Sequence, residues 1–389
     1  MLVEFEGVHK QLRDSLEKYL DTKVAEVHER WSRADSADEG ELRRIFREMG
    51  SYGWIMPWAS EEFGGCEADL LSSCIIANSI GKKGLTGVSV WLHGDTASPI
   101  LALHGTQAQK ERYLAPAIRG EKIVCIAMTE PDTGSDLLSM NTTARRDGDD
   151  YLINGNKCFI TNGSIADIML VACKMPDQEQ GKPKISLFIV DAHAPGVTRR
   201  KIRKVGSNVG DTGELYFDDV RVPAENMLGE EGRAYGMLME GLQHERLVAA
   251  ANYLGVAERG FDLTVKYVTE RKVFGRRVAD FQNTSFALAD LYTRLLAGSA
   301  LIKELAEKVD AAEDDSVYAA DACAAKSYCA ALAQDCLREG VQLHGAYGIS
   351  SEYEIGRLNA EAMSFSLAAG TTEIMKLVIG RKVIPRKRR

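Results

Sequence analysis

The pattern of apolar and polar residues divides the chain into three parts. In the first part, apolar residues recur every three to four positions with charged residues between them, which predicts amphipathic helices. The clearest case is the stretch at residues 8–31, whose apolar positions are Leu12, Leu16, Tyr19, Leu20, Val24 and Val27. Thr106 is predicted to cap a further helix at residues 107–114. Helices are expected as far as residue 120.

The middle part, at about residues 121–232, is rich in Val, Ile, Thr, Tyr and Phe, and turn dipeptides interrupt its short apolar runs. This composition predicts β-strands. Two dipeptides, Asp147-Gly148 and Asn154-Gly155, are each predicted to turn a β-hairpin. Further strands are predicted at residues 168–174, 185–191 and 214–217.

The helical pattern returns after Gly232, with long helices predicted at residues 238–269 and 290–309. The order helical, β, helical predicts an α+β protein. Its domains are expected to be an N-terminal helical domain at 1–120, a middle β domain at 121–232 and a C-terminal helical domain at 233–389. Strands and helices do not alternate and no GxGxxG follows a strand, so a dinucleotide-binding Rossmann unit is not expected.

Composition and charge narrow the chemistry mainly by exclusion. A net charge of −8 at pH 7 argues against general nucleic-acid binding. The eight cysteines form no CxxC pair and the seven histidines form no HxxxH or HExxH pair, so we expect a reducing compartment and no metal site. No apolar run approaches the ~20 residues of a membrane span. No targeting peptide is visible, which predicts a cytoplasmic protein and leaves open a mature mitochondrial matrix form.

Two local features have more than one interpretation. Residues 381–389 are basic and could contact acidic lipid or a phosphate-bearing ligand, but a solvated tail is favoured. Cys323, Cys329 and Cys336 lie in an Ala-rich helical stretch, where we interpret them as buried small apolar residues.

Several short motifs follow one another along the chain. Residues 127–136 (AMTEPDTGSD) close a strand with a turn rich in backbone N–H and hydroxyl donors, which could bind an anionic or carbonyl-rich ligand or could be a plain surface turn. The other motifs are residues 61–65 (EEFGG), 217–223 (FDDVRVP), 270–275 (ERKVFG) with Gln282, 342–348 (QLHGAYG) and 370–373 (GTTE). In this order and at this spacing they resemble the acyl-CoA dehydrogenase family, over nearly the whole chain.

The resemblance implies a fold and an activity. The fold would be a helical domain, a small β-barrel-like domain and a C-terminal four-helix domain. The activity would be FAD-dependent α,β-dehydrogenation of an acyl-CoA thioester to the trans-2-enoyl-CoA, with an electron-transfer flavoprotein as the electron acceptor. The resemblance also implies a homo-oligomer, most often a tetramer.

It further implies FAD-binding residues in the middle domain. Thr129 would hold the pyrimidine edge of the flavin, and Ser135 would lie at its phosphate and CoA side. Phe159 would cover the flavin ring, and the Thr161 hydroxyl would form a hydrogen bond near N5 of the flavin. The same surface would include Ile126, Met128 and Gly134.

In the C-terminal domain, the resemblance implies residues that bind the diphosphate and adenosine of the cofactor across a subunit interface. They are Arg271, Phe274, Gln282, Gln342, Gly345 and Ala346. Thr371 and Glu373 would close over the adenine half.

The catalytic base is not where most of the family has it. Most members have Tyr-Glu-Gly where this chain has Ala368, Ala369 and Gly370. A minority, of the long-chain and isovaleryl-CoA type, place the acid in a Glu-Arg-Leu string on an earlier helix, and residues 243–249 (QHERLVA) resemble that string. The resemblance therefore makes Glu245 the candidate base.

The residues around Glu245 give a separate reason to single it out. At helical spacing Glu245 shares an apolar stripe with Leu238, Leu242 and Ala249, and none of its i±3 or i±4 neighbours can form an ion pair with it. Its carboxylate lies either on a solvated edge or in a pocket, and the resemblance favours the pocket. Burial without a cationic partner would raise its pKa, as a base requires.

The resemblance gives the backbone N–H of Ala369 the role of a donor to the thioester carbonyl oxygen. The expected substrate contacts are Ser135, Leu242, His244, Arg246 and Gly370, of which His244 and Arg246 could instead only support the site. Acyl length and branching stay open. The alternatives are a related flavoenzyme acting on a carrier-protein thioester or another acid, an oxidase or desulfinase, and a catalytically silent flavoprotein scaffold.

Overall fold

The computed structural model describes residues 1–175 and 184–384, without the side chains of residues 241–243 and 315. The end of the basic segment, residues 385–389, lies outside the described residues. The N-terminal part is helical and contains α1 (Gly7–Tyr19), α2 (Ala25–Ala34), α3 (Glu39–Ser51), α4 (Leu70–Lys82), α5 (Val90–Leu92), α6 (Ser98–His104), α7 (Gln107–Gln109) and α8 (Ala115–Ile118). One π-helical turn each joins α1 to α2, α5 to α6 and α7 to α8, at Leu20–Val24, His93–Ala97 and Lys110–Leu114.

The predicted cap at Thr106 is confirmed. The Thr106 hydroxyl accepts from the Gln109 backbone N–H at 3.2 Å, and the Gln109 side chain accepts from the Thr106 N–H at 2.9 Å. These two bonds satisfy two backbone donors that the first turn of a helix leaves unpaired.

The middle part forms a sheet whose strands are β1 (Val124–Ala127), β2 (Thr143–Asp147), β3 (Asp150–Thr161), β4 (Ile168–Lys174), β5 (Ile185–Asp191), β6 (Val197–Lys201), β7 (Thr212–Pro223) and β8 (Met227–Leu228). The strand order is β6-β7-β3-β2-β4-β5-β8, and β1 pairs in parallel with β4. Alternate residues of β4 enter two different cores. Met169 and Val171 pack inside the sheet domain, whereas Leu170 packs against the helices. The sheet is therefore fixed to the helical domains through β4.

One of the two predicted hairpins is present. Asp147-Gly148 turns β2 into β3, with Asp147 opposite Asp150. The prediction at Asn154-Gly155 is wrong, because β3 continues through both residues with a shift in its pairing to β7. Gly155 has a φ of +142°, and a Cβ there would lie 2.6 Å from Cα of Thr142. The glycine allows a close approach of two chain segments at a bulge.

The C-terminal part contains α9 (Ala234–Glu270), a short hairpin of β9 (Lys272–Val273) and β10 (Arg276–Arg277), and then α10 (Gln282–Asp310), α11 (Ala319–His344), α12 (Glu354–Ala362) and α13 (Thr372–Val383). Helix α11 packs against α9, α10, α12 and α13. As predicted, Cys323, Cys329 and Cys336 are buried in this bundle. The three-part α+β prediction is confirmed.

Helix α4 packs closely against α9 and so fixes the position of α9. Asn78 donates to the Ala251 carbonyl at 3.1 Å, and Asn252 donates to the Ala77 carbonyl at 3.0 Å. A Cβ on Gly255 would lie 2.2 Å from the Asn78 carbonyl oxygen, so the helices can meet only because this residue is glycine. Within the described ranges, no helix is long and apolar enough to cross a membrane.

Candidate active site

Glu245 lies on α9 in a buried pocket, with 5% of its surface exposed. Burial raises the pKa of Glu245 to about 7, against the opposing effects of Arg246, the Thr96 hydroxyl, Lys326 and His244. Its carboxylate oxygens form no ion pair with any residue that the structure describes. A carboxylate with this pKa can both accept and release a proton near neutral pH.

Two buried cations face this carboxylate. Lys326, on α11, is completely buried, and Arg246 is 7% exposed. The Nε of Arg246 has no hydrogen-bond partner in residues 1–175 and 184–384. The sequence analysis named Arg246 but not Lys326, because it considered only the neighbours of Glu245 on the same helix and Lys326 comes from another. Burial still outweighs both charges in setting the pKa of Glu245.

A tight turn at residues 368–370 lies next to the pocket. Lys326 Nζ donates to the Gly370 carbonyl at 2.8 Å, which ties this turn to α11. Ala369 has a φ of +55°, a left-handed conformation that is uncommon for a residue with a side chain. Its backbone N–H has no acceptor among the described residues. The turn therefore has a free donor where the sequence analysis expected one.

A polar network holds the π-helical turn His93–Ala97 against α9. His244 Nε2 and Trp58 Nε1 both lie within hydrogen-bond distance of Asp95 Oδ1, at 2.9 and 3.0 Å. The Trp58 and His244 rings meet edge to face, with centroids 5.7 Å apart. The network fixes the next residue, Thr96, whose buried hydroxyl lies beside Glu245. Single π-helical turns inside helices are frequent at functional sites.

A second group of expected site residues lies on the middle domain. A bulge in β3 between Lys157 and Ile160 interrupts the pairing with β7. The N–H of Cys158 instead donates to the Thr129 carbonyl at 2.9 Å, which places Phe159 beside the 127–136 turn. Phe159 has a φ of +57° and is 66% exposed. The other predicted flavin contacts here are also at least partly exposed, namely Ile126, Met128, Thr129, Gly134, Ser135 and Thr161.

A buried ion pair holds the 127–136 turn in place. Lys157 Nζ lies 2.9 Å from Glu130 Oε1 and donates to the Met128 carbonyl at 3.0 Å. Glu130 also accepts from the backbone N–H groups of Asn141 and Thr142, at 2.6 and 2.9 Å. Burial alone would raise the pKa of Glu130, but these hydrogen bonds outweigh burial and lower it. The pair is structural, and it fixes the position of Thr129.

The C-terminal candidates lie on an exposed surface. Phe274, at the tip of the β9–β10 hairpin, is 97% exposed, and Arg271 lies over the Tyr347 ring at 6.0 Å. This contact brings the hairpin to the 345–349 segment. Gln282, Gln342, Gly345 and Ala346 are exposed as well. Among the described residues, no hydrogen bond or ring contact joins the hairpin to Glu245 or to the Thr129 turn.

Two further candidates begin α13. The Thr371 hydroxyl caps this helix by accepting from the Ile374 N–H at 3.3 Å. Glu373 is exposed in its first turn. The predicted substrate contact Leu242 lies on α9, but its side chain is outside the described residues.

Three family models match the chain and together cover most of it. They are described as the N-terminal, middle and C-terminal domains of acyl-CoA dehydrogenase, and they match residues 7–121, 125–220 and 233–384. The chain belongs to the acyl-CoA dehydrogenase family.

Known acyl-CoA dehydrogenases resemble the chain over almost its whole length. It is 34% identical to the long-chain specific enzyme of Rattus norvegicus, over 98% of this chain and 87% of the relative. It is 35% identical to the short-chain specific enzyme of Clostridium acetobutylicum, over 98% of both chains. It is 34% identical to isovaleryl-CoA dehydrogenase of Pongo abelii, over 96% of this chain and 88% of the relative.

Solved structures agree. The acyl-CoA dehydrogenase of Geobacillus kaustophilus superposes with a TM-score of 0.91 at 39% identity, over 97% of this chain and 98% of that one. The Bacillus anthracis acyl-CoA dehydrogenase complexed with FAD superposes with a TM-score of 0.90 at 27% identity, over 98% of this chain and 67% of that one.

Three residues of the pocket were missed in the sequence analysis, namely Asp95, Thr96 and Lys326. The first two lie in a π-helical turn that no periodicity marks. Lys326 had a signal, because it is a single cation in the stretch from Ala322 to Ala333, which is otherwise mainly alanine and cysteine. A charge there is unlike the rest of a buried helix face.

Proposed function

We propose that this acyl-CoA dehydrogenase is an FAD enzyme that converts an acyl-CoA thioester to the trans-2-enoyl-CoA, with Glu245 as its base. The observation that supports this most is the carboxylate itself, which is buried, forms no ion pair with a described residue and has a pKa raised to about 7. A general base works best when its pKa is near the working pH.

Several groups near the pocket have a defined task in this proposal. Glu245 accepts the α-proton of the thioester. The free N–H of Ala369 donates to the thioester carbonyl oxygen, where negative charge develops as the proton leaves. Asp95 and His244 hold the turn that places Thr96 against Glu245. FAD, when it is bound, would supply the hydride acceptor.

The middle domain fits such a cofactor. Phe159 presents an exposed ring, and the half-buried hydroxyl residues Thr129 and Thr161 lie on the segments next to it. A Cβ added to Gly134 would meet no atom within 4 Å, so there is open space above this turn. The Bacillus anthracis relative is complexed with FAD. An electron-transfer flavoprotein, the usual acceptor in the family, is the proposed electron acceptor.

A homotetramer is also part of the proposal. Phe274, Phe286 and Ile349 are 97%, 60% and 81% exposed on the C-terminal domain, and contact with a second copy would remove these apolar groups from water. The predicted adenosine-binding residues lie on the same domain. Light scattering of the purified protein at several concentrations would measure its mass.

The acyl chain is left open in this proposal. Relatives named for long-chain, short-chain and isovaleryl substrates are equally similar to the chain, at 34–35% identity. Sequence identity therefore does not indicate the length of the acyl chain. A panel of substrates has to be tested to find it.

The test is anaerobic bleaching of the bound flavin by short, branched and long acyl-CoA thioesters. It compares the wild type with Glu245→Gln and with the matched control Glu240→Gln, an exposed acid on the same helix. Loss of a general base slows proton transfer by about 10²- to 10⁴-fold. We expect that loss in Glu245→Gln alone, with flavin content unchanged in all three proteins.

Other outcomes would change the proposal in defined ways. Equal bleaching of all three proteins would mean that the base is another residue. A flavin that no thioester bleaches would favour a carrier-protein substrate or a catalytically silent flavoprotein. A purified protein that retains no flavin would overturn the proposal.

A further inference from the structure

Lys326 is a buried cation for which the proposed chemistry has so far no role. Its side chain is completely buried, and its ammonium group has one hydrogen-bond acceptor among the described residues, the Gly370 carbonyl at 2.8 Å. A buried ammonium group with a single acceptor is costly for folding, because the bonds that it makes in water are not replaced. A fold that keeps such a group gains little stability from it, which points to a role in the site.

The single hydrogen bond acts on the turn beside the base. On one side of the turn, the Ala368 N–H donates to the Ser364 carbonyl at 2.9 Å, and on the other side the Gly370 carbonyl accepts from Lys326. Between these two bonds, the N–H of Ala369 has no acceptor in the described part of the chain. The strained φ of Ala369, +55°, persists only if the surroundings hold it. Lys326 is one of the groups that hold it.

We propose that Lys326 is a positioning residue for the dehydrogenation, which fixes the Gly370 carbonyl so that the Ala369 N–H points at the thioester oxygen, and whose charge faces Glu245. This proposal rests on the proposed function. In the step concerned, the Cα–H bond breaks, the proton moves to a Glu245 carboxylate oxygen, and the electron pair that it leaves is delocalised onto the thioester carbonyl oxygen.

The charges in the pocket favour this step. The charged and titratable groups that face Lys326 are Glu245 and Arg246 from α9 and Cys323 from α11. Burial, assisted by Arg246, lowers the pKa of Lys326 to about 8, against the opposing effects of Glu245 and Cys323. Before the reaction, the carboxylate offsets one of the two cations. Once Glu245 is protonated, both cations face the negative charge on the thioester, so the electrostatic stabilisation grows along the reaction.

The experiment uses the flavin-loaded enzyme and three variants. Lys326→Met removes the charge and the hydrogen bond at similar length, Lys326→Gln keeps a hydrogen-bond donor without the charge, and Lys308→Met on α10 is the control at an exposed lysine. We expect kcat of Lys326→Met to fall by about 10²-fold, the size typical of one lost oxyanion donor, with KM nearly unchanged. Lys326→Gln should recover part of this loss, and Lys308→Met should behave as the wild type.

The pH profile separates a positioning role from a structural one. Lys326 and Arg246 both lower the pKa of Glu245, and so does His244, which is itself bonded to Asp95. Without the charge of Lys326, the midpoint of the acid limb of kcat/KM should move to higher pH in both Lys326 variants. Unchanged kcat and midpoint in Lys326→Met would overturn the proposal. So would a loss of kcat that occurs only in parallel with loss of flavin.

A second measurement distinguishes failure of this proposal from failure of the proposed function. The infrared band of the protonated Glu245 carboxyl, identified by its absence in Glu245→Gln, can be titrated without any substrate. We expect its midpoint to rise in Lys326→Met. If none of the thioesters reduced the flavin of the wild type, the proposed function and the catalytic role of Lys326 would both be wrong. If the wild type reacted and the band did not move, only the proposal for Lys326 would fall.

Discussion

In the described part of the chain, a buried lysine lies near a buried glutamate in two places. In the middle domain, Lys157 and Glu130 form an ion pair at 2.9 Å, with side chains 0% and 2% exposed. In the candidate active-site pocket, Lys326 and Glu245 are also buried but form no ion pair. Here Lys326 instead donates a hydrogen bond to the backbone carbonyl of Gly370.

The two pockets have opposite effects on their carboxylates. Glu130 accepts hydrogen bonds from Lys157 and from two backbone N–H groups, and its pKa is lowered. Glu245 lacks such a set of donors, and burial raises its pKa to about 7. Both carboxylates are almost inaccessible to solvent, but Glu245 lies deeper in the protein. The ion pair and hydrogen bonds of Glu130 outweigh its burial, whereas burial dominates at Glu245, so the first carboxylate stays ionised and the second can exchange a proton.

The largest effect on stability is expected from breaking the pair in the middle domain. Lys157→Met leaves Glu130 buried without its cation, and removal of one partner of a buried ion pair typically costs about 3–5 kcal/mol. Urea unfolding at pH 7 measures this loss. Lys326→Met should cost much less, because Glu245 makes no ion pair with it.

The double variant Lys157→Met with Glu130→Gln is the control for this first prediction. It removes both charges and should recover a large part of the lost stability, because no unpaired charge stays buried. If Lys157→Met were as stable as the wild type, the pair would not be structural and the contrast between the two pockets would disappear.

The second prediction is a difference in pH dependence between the two glutamates. The folded pKa of Glu245 is about 7 and its unfolded pKa is about 4.5, so the folded protein binds the proton more tightly, and stability falls as pH rises between these values. Above pH 7 the ionised carboxylate costs about 3 kcal/mol. Glu245→Gln should therefore be more stable than the wild type by about that amount at pH 9, and by little at pH 4.

Glu130→Gln is the matched control, and its effect has the opposite sign. Because the folded pKa of Glu130 is lowered, its contribution to stability is present above the unfolded pKa and is lost as pH falls through the folded pKa. This variant should be less stable than the wild type at pH 7, with a difference that shrinks in acid. Urea unfolding at pH 4, 7 and 9 compares both variants, and equal signs at pH 9 would contradict the assignment of the two carboxylates.

Much of the fold, and the position of Glu245 on an apolar helix stripe, could be predicted from the sequence. Helical spacing gave α9 and the apolar stripe that carries Glu245, and composition separated the sheet from the helices. The partners of the two carboxylates could not be predicted in this way. Lys157 lies 27 positions from Glu130, and Lys326 lies on a different helix from Glu245. Periodicity describes only one element at a time, so it contains no information about which elements meet.

The wrong prediction of a hairpin at Asn154-Gly155 has the same cause, because a local pattern contains no information about tertiary contacts. The dipeptide is a strong local turn signal. In the structure, Gly155 instead serves the close approach of β3 to Thr142, a residue 13 positions earlier in the chain. Tertiary packing therefore overrode a correct local preference.

The smallest predicted effect concerns one hydroxyl in each pocket. The Thr96 hydroxyl favours the ionised form of Glu245, and the Thr133 hydroxyl donates to Glu130 at 3.4 Å. Thr96→Val keeps the shape of the side chain and removes the hydroxyl, so the pKa of Glu245 should rise. A shift of a few tenths of a pH unit, worth about 0.5 kcal/mol, is expected in the acid limb of flavin reduction. Thr133→Val should leave that limb unchanged, because Glu130 keeps its stronger donors and takes no part in the reaction. A midpoint that moved to lower pH in Thr96→Val would contradict this prediction, because it would show that the hydroxyl favours the protonated acid. The raised pKa of Glu245 would then have a second cause besides burial.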